Sequence, residues 1–126
     1  MKRSWFGFFL LAALLGISLL SSRTMVRIYQ ADAQRLSIAS QEALGGNWAE
    51  AASLTAQVRR SWDKWALFRC AMADHNPAEE IDALFLVLEV YGTTREEVAF
   101  ASVCRETAQK LEAMGEAHRL NLENLL

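Results

Sequence analysis

Residues 45–68 read GGNWAEAASLTAQVRRSWDKWALF and hold three of the chain's four tryptophans. At about 100° per residue in an α-helix, Trp62 falls roughly 40° from Trp48, and Trp65 about 60° further round. One helical face therefore carries all three. Such a face is either a stacking platform for a ligand or the inside of a helical bundle. Ala51, Ala52, Thr55, Val58 and Met72 extend the same stripe, while Arg60 and Lys64 fall opposite it. Aromatic rings bring large buried area without special chemistry, so the stripe is read as packing.

Working outward, the punctuation is helical. Gly45-Gly46 ends one helix, and Asn47 with Glu50 forms a capping pair for the next, expected over 47–73. Asn76-Pro77-Ala78-Glu79 starts another over 77–91, with Pro at a position where its missing N–H is harmless. Thr94 to Glu97, after Gly92, starts a last one over 94–124. The first helix is expected from about Ser4 to Leu44. Apolar stripes support each: Val26, Tyr29, Ala33, Leu36 and Ala43; Ile81, Leu84, Phe85, Leu88 and Tyr91; Ala101, Cys104, Ala108, Leu111, Gly115 and His118. The expected fold is all-α, an N-terminal transmembrane helix continuing into a small antiparallel bundle of about four helices. Its core is expected to hold Trp48, Val58, Trp62, Trp65, Leu84, Phe85, Leu88 and Leu111. Unequal helix lengths would drive the end of the last one into the bilayer, so that it is expected either to bend, with Gly115 the place for it, or to project beyond its partners.

The N-terminal part divides the chain at residue 22. From Trp5 to Leu20 no charge appears, behind Lys2 and Arg3. The run is near the lower end of the roughly 20 residues of a membrane span. Leu19 and Leu20 stand where signal cleavage wants small residues, and Ala31-Asp32-Ala33 lies too far downstream. Residues 1–22 are thus expected to be an uncleaved anchor, with 5–22 in the lipid bilayer. The basic head places the amino terminus in the cytoplasm and residues 23–126 outside it.

Composition narrows the chemistry. The thirteen Lys and Arg of the chain include Lys2 and Arg3, which leaves eleven beyond the anchor against all fifteen Asp and Glu, a net charge of −4 there. A nucleic acid partner is not expected from that balance. His75 and His118 stand alone, without a His-x-x-x-His or Cys-x-x-Cys spacing, so neither metal nor cofactor is expected. Cys104 and His118 would lie about 21 Å apart on one helix, too far for a nucleophile pair. Glu79, Glu80, Glu96 and Glu97 all fall in first turns, where the helix dipole accounts for them. No enzymatic activity is expected.

Cys70 and Cys104 come out at similar heights in an antiparallel bundle. A disulfide is open to them in an oxidising exterior; two buried thiols are the preferred reading. The tail leucines Leu122, Leu125 and Leu126 form either the last core turn or a docking strip for a partner. Together these features lead to an expected non-catalytic, membrane-tethered module that binds a protein partner. The competing expectation is a small-ligand or metal sensor using the Trp face with His75 or His118.

The order of these landmarks resembles a family of short bacterial membrane-anchored proteins classed as a domain of unknown function. The resemblance runs over nearly the whole chain. It rests on the apolar anchor, Asn47-Trp48, the Trp62 region, the His in DHNPAEEIDALFLVLEVYG (74–92) and the closing NLENLL (121–126). The two cysteines depart from the pattern. The resemblance implies a membrane-tethered helical domain and brings no activity, substrate or catalytic residue with it.

Overall fold

The computed structural model describes residues 2–67 and 75–125, less the side chains at 22, 75–77, 121, 122 and 125. Regular structure among the described residues is α-helical throughout: α1 Lys2–Leu44, α2 Trp48–Lys64, α3 His75–Thr94 and α4 Glu97–Leu125. The fold is the all-α bundle that the spacing predicts.

α1 is one unbroken helix of 43 residues with two environments. Its first half exposes Trp5, Phe6, Phe8, Phe9 and the leucines that follow, and is long and apolar enough to cross a membrane. The change comes within a turn or so, since Leu20 is 70% exposed and Met25 only 1%. From there Met25, Tyr29, Ala33, Leu36, Ala39 and Ala43 form a buried stripe at spacings of three and four. Its small members let neighbouring helices approach closely. The stripe turns slightly from the expected one: Met25 is buried where Val26 was expected, and Val26 is half-buried.

α4 lies antiparallel along α1 in the most extensive helix pairing of the fold, and α2 flanks α1 while α3 flanks α4. Leu44 is close to Val98 and Ala101 at one end of the α1–α4 pair, and Gly115 meets Val26 and Tyr29 at the other. α2 and α3 barely touch. Arg59, Arg60 and Lys64 on α2 and Glu79, Glu80, Asp82 and Glu89 on α3 do not zip the two together, because each helix has a larger apolar face to bury elsewhere and exposed pairs contribute only about 0–1 kcal/mol. The surviving links are local: Trp62 Nε1 donates to Asp82 Oδ1 at 2.6 Å, and the Arg59 guanidinium lies 5.3 Å from the centre of the Phe85 ring. Lys110 ties α4 to α3 through Glu80 at 2.8 Å.

Four expectations are corrected. α2 ends at Lys64, where Trp65 takes φ −99° and ψ 11° and interrupts the expected 47–73 helix; Ala66 and Leu67 are helical again, and 68–74 lie outside the described residues. Asn47 makes no side-chain cap; its Nδ2 donates to Glu42 Oε2 at 2.9 Å, reaching back across the turn that Gly46 closes at φ +80°. Gly92 does not stop α3. The helix runs on to Thr94, whose hydroxyl donates back to the Val90 carbonyl, and Glu96 precedes α4 instead. Gly115 is not a bend. α4 passes through it unbroken and packs closely on α1 there, with Tyr29 Cβ 3.5 Å from where a Cβ would sit. The Asn76-Pro77 cap and Cys70 lie outside the described side chains.

The α3–α4 turn stores strain. Arg95 adopts φ 56°, a left-handed conformation that costs a side-chain-bearing residue about 1–2 kcal/mol. Arg95→Gly is expected to stabilise the bundle by about 0.5–1 kcal/mol, the relief being partly offset by a freer unfolded chain. Urea midpoints of the two proteins in one detergent decide it; a lower midpoint for the glycine variant refutes the assignment.

Candidate functional site

Because α2 and α3 diverge, a groove of about 680 Å³ opens between them. Buried Phe85, Leu88 and Phe100 back its floor, and half-buried Trp48 stands edge-on to Phe100 at a ring separation of 5.2 Å. The α2 wall is made of Ala49, Ala52 and Ala56, all exposed, at helical spacings that put them on one face. On the α3 side Gly92 contributes backbone only, with the Phe100 ring 3.5 Å from where a Cβ would sit. Arg59, Glu89 and Arg95 are the charged members of the lining, and Arg59 also reaches Asp63 at 3.4 Å.

The three clustered tryptophans therefore separate. Trp62 is 2% exposed and belongs to the core, its ring 6.2 Å from that of Phe85. Trp48 is half-buried and lines the groove. Trp65 is half-buried, packed against the core with the Lys64 ammonium 5.6 Å from the centre of its ring. Val58, Phe85, Leu88 and Leu111 are buried, and Leu84 is half-buried. The side chains of Leu122 and Leu125, and Leu126 altogether, lie outside the described residues, as does the side chain of His75.

Asp32 and His118 are titratable groups packed into the bundle. Asp32 is 2% exposed on α1. Burial raises its carboxyl above the usual range, against hydrogen bonds from Ser61 on α2 and Arg35 that pull it back. It pins α2 to α1, and nothing in its sequence neighbourhood marks it as interior except its place between Tyr29 and Leu36. His118, half-buried, stacks beside Tyr29 at 5.8 Å, and desolvation lowers its pKa.

A depressed imidazole makes the bundle acid-sensitive. The unfolded chain, with an ordinary pKa of about 6.5, binds its proton first as pH falls. Stability is thus full above that value and declines as pH drops through it towards the folded pKa. His118→Gln is expected to flatten that part of a stability profile measured between pH 8 and pH 5. An unchanged slope would show that His118 does not govern it.

Cys104 is a free thiol with no exposed surface, and burial pushes its pKa up to about 12. At pH 8 it holds almost no thiolate, the form that reacts. In a Cys70→Ser background, maleimide is expected to label it only after denaturation, read by intact mass; rapid labelling of the folded protein would contradict its burial.

Among the described residues no three His, Cys, Asp or Glu side chains converge on a point that a metal ion would occupy. The site is shaped for contact, with an apolar trough and few charges. No protein family's model matches the chain, and neither a curated protein nor a solved structure matches it.

Proposed function

We propose that the chain is a non-catalytic helical module, tethered to a membrane through residues 5–22, that binds a protein partner by taking an amphipathic helix into the α2–α3 groove. This agrees with the family resemblance, which likewise carries no activity. The groove is the supporting observation. From Ala49 to Arg59 its α2 wall runs about 15 Å, enough for two to three turns of a bound helix. Alanines along that wall permit the close axis separations of ridge-and-groove packing. Two arginines against one glutamate in the lining suit a partner whose apolar stripe is flanked by carboxylates. The amino terminus faces the cytoplasm and the bundle faces outward, which suits an accessory to another membrane protein.

A photo-crosslinking residue at Ala52, in the full chain in native membranes, tests this. One protein is expected to be captured, and Ala56→Arg in the same chain is expected to abolish capture without moving the melting temperature. Capture that ignores Ala56→Arg would remove the groove from the reading. A reporter active only outside the cytoplasm, joined after Leu126, is expected to be active; a silent one that works inside reverses the orientation.

One observation favours a second reading. The groove volume lies within the roughly 300–1,000 Å³ of small-molecule sites, and Trp48 offers a ring to stack on. Native mass spectrometry that finds a bound apolar compound, displaced by Ala52→Trp, would replace the partner helix with a ligand sensor.

A further inference from the structure

The register between α1 and α4 determines where α4 ends. Leu44 is close to Val98 and Ala101, and Val26 with Tyr29 meets Gly115, so one antiparallel register holds along the bundle. Both helices advance about 1.5 Å per residue. The same register carries Leu120 to the height of Arg23 and Leu125 to the height of Ser18. The cover on α1 agrees: residues 2–18 are all exposed, and Leu19 and Ser21 are the first to be half-buried.

Those heights overlap the apolar run. Leu125 stands about 6 Å inside its end at Ser22, within the roughly 5–10 Å to which an interfacial helix sinks. Leu120, on α4, is 49% exposed there and Leu20, on α1, 70%. The sequence of this end mixes Leu120, Leu122 and Leu125 with Asn121, Glu123 and Asn124, an apolar and polar blend suited to a boundary layer. Arg23, Arg27 and Arg119 are exposed around the same level, with Arg119 paired to Glu116.

We infer that the last two turns of α4, from Leu120 onward, lie in the headgroup and upper acyl layer of the bilayer that α1 enters, so that the bundle meets lipid at two points. The inference rests on the reading of residues 5–22 as a span. It gives the apolar end of α4 an occupant, phospholipid, in place of water. It also explains why α4 continues past the level at which α1 leaves the bilayer.

The full chain in phosphatidylcholine–phosphatidylglycerol nanodiscs tests it. Nitroxide labels are placed singly at Leu120→Cys, Glu123→Cys, Glu112→Cys and Leu10→Cys, with Cys70→Ser and Cys104→Ala throughout. Collision with oxygen, which enriches in lipid, is compared with collision with a water-soluble nickel chelate. The ratio is expected to be highest at position 10, lowest at 112, and several-fold above 112 at both 120 and 123. Ratios at 120 and 123 equal to that at 112, with position 10 in hydrocarbon, overturn this inference and leave the span standing. A watery position 10 overturns both. Glu123→Cys keeps the result decisive if Leu120→Cys disturbs the helix, since Glu123 is exposed.

Discussion

Trp62→Ala is expected to cost roughly 3–5 kcal/mol, the range for large aromatic truncations in a core. The ring is 2% exposed, packs against Phe85 and donates its N–H to Asp82 at 2.6 Å. It is also one of few ties between α2 and α3, which otherwise diverge. The loss amounts to a fifth or more of the stability of a typical small domain, about 5–15 kcal/mol. Trp62→Phe separates the two contributions, since it keeps most of the ring and removes the donor. That change is expected to cost about 1.5–3 kcal/mol, the range for a bond to a charged acceptor. Denaturant midpoints of the full chain in detergent, read by circular dichroism, give both numbers. An unchanged midpoint for the alanine variant would remove Trp62 from the core.

Gly115→Leu is expected to cost about 2–3 kcal/mol, while Gly115→Ala is neutral or stabilises by up to about 1 kcal/mol. A Cβ at Gly115 would sit 3.5 Å from Tyr29 Cβ and 3.8 Å from the Val26 carbonyl oxygen. Those are ordinary contact distances, so a methyl group fits and the better helix propensity of alanine shows. The three further carbons of leucine have no room. They push α4 off α1 along the longest pairing in the fold, the overpacking penalty of a filled core. The sign difference between the two variants is the diagnostic, measured under the same conditions as for Trp62. Equal effects would mean that the helices do not meet at this residue.

Much of this fold is legible in the residues because burial follows local period. Ile81, Phe85 and Leu88, or Ala101, Cys104, Ala108 and Leu111, recur at spacings that only a helix brings to one face. The apolar run before Arg23 is equally plain. What stayed hidden depends on how helices are placed against each other. Leu54, 9% exposed, flanks the tryptophan stripe and is buried beside it, because the centre of a buried face is set by the neighbour. Asp32 looks like a surface residue until Ser61 and Arg35 are brought to it. The groove has no signature of its own, since its walls are surface alanines and its floor consists of residues that read as core. Arg95 occupies a position where glycine is the usual signal, and so it conceals the turn.

The continuity of α1 has a mechanical consequence. With no hinge between its two halves, a chain tethered as proposed would behave as a lever whose fulcrum lies in the bilayer. From Leu20 to Leu44 the arm is about 36 Å long, and an ordinary helix tilt of about 20° swings its tip sideways by about 12 Å. The groove, which lies near that tip beside Trp48, travels with it. Membrane thickness, which alters tilt, would thereby shift where a partner must stand to be reached.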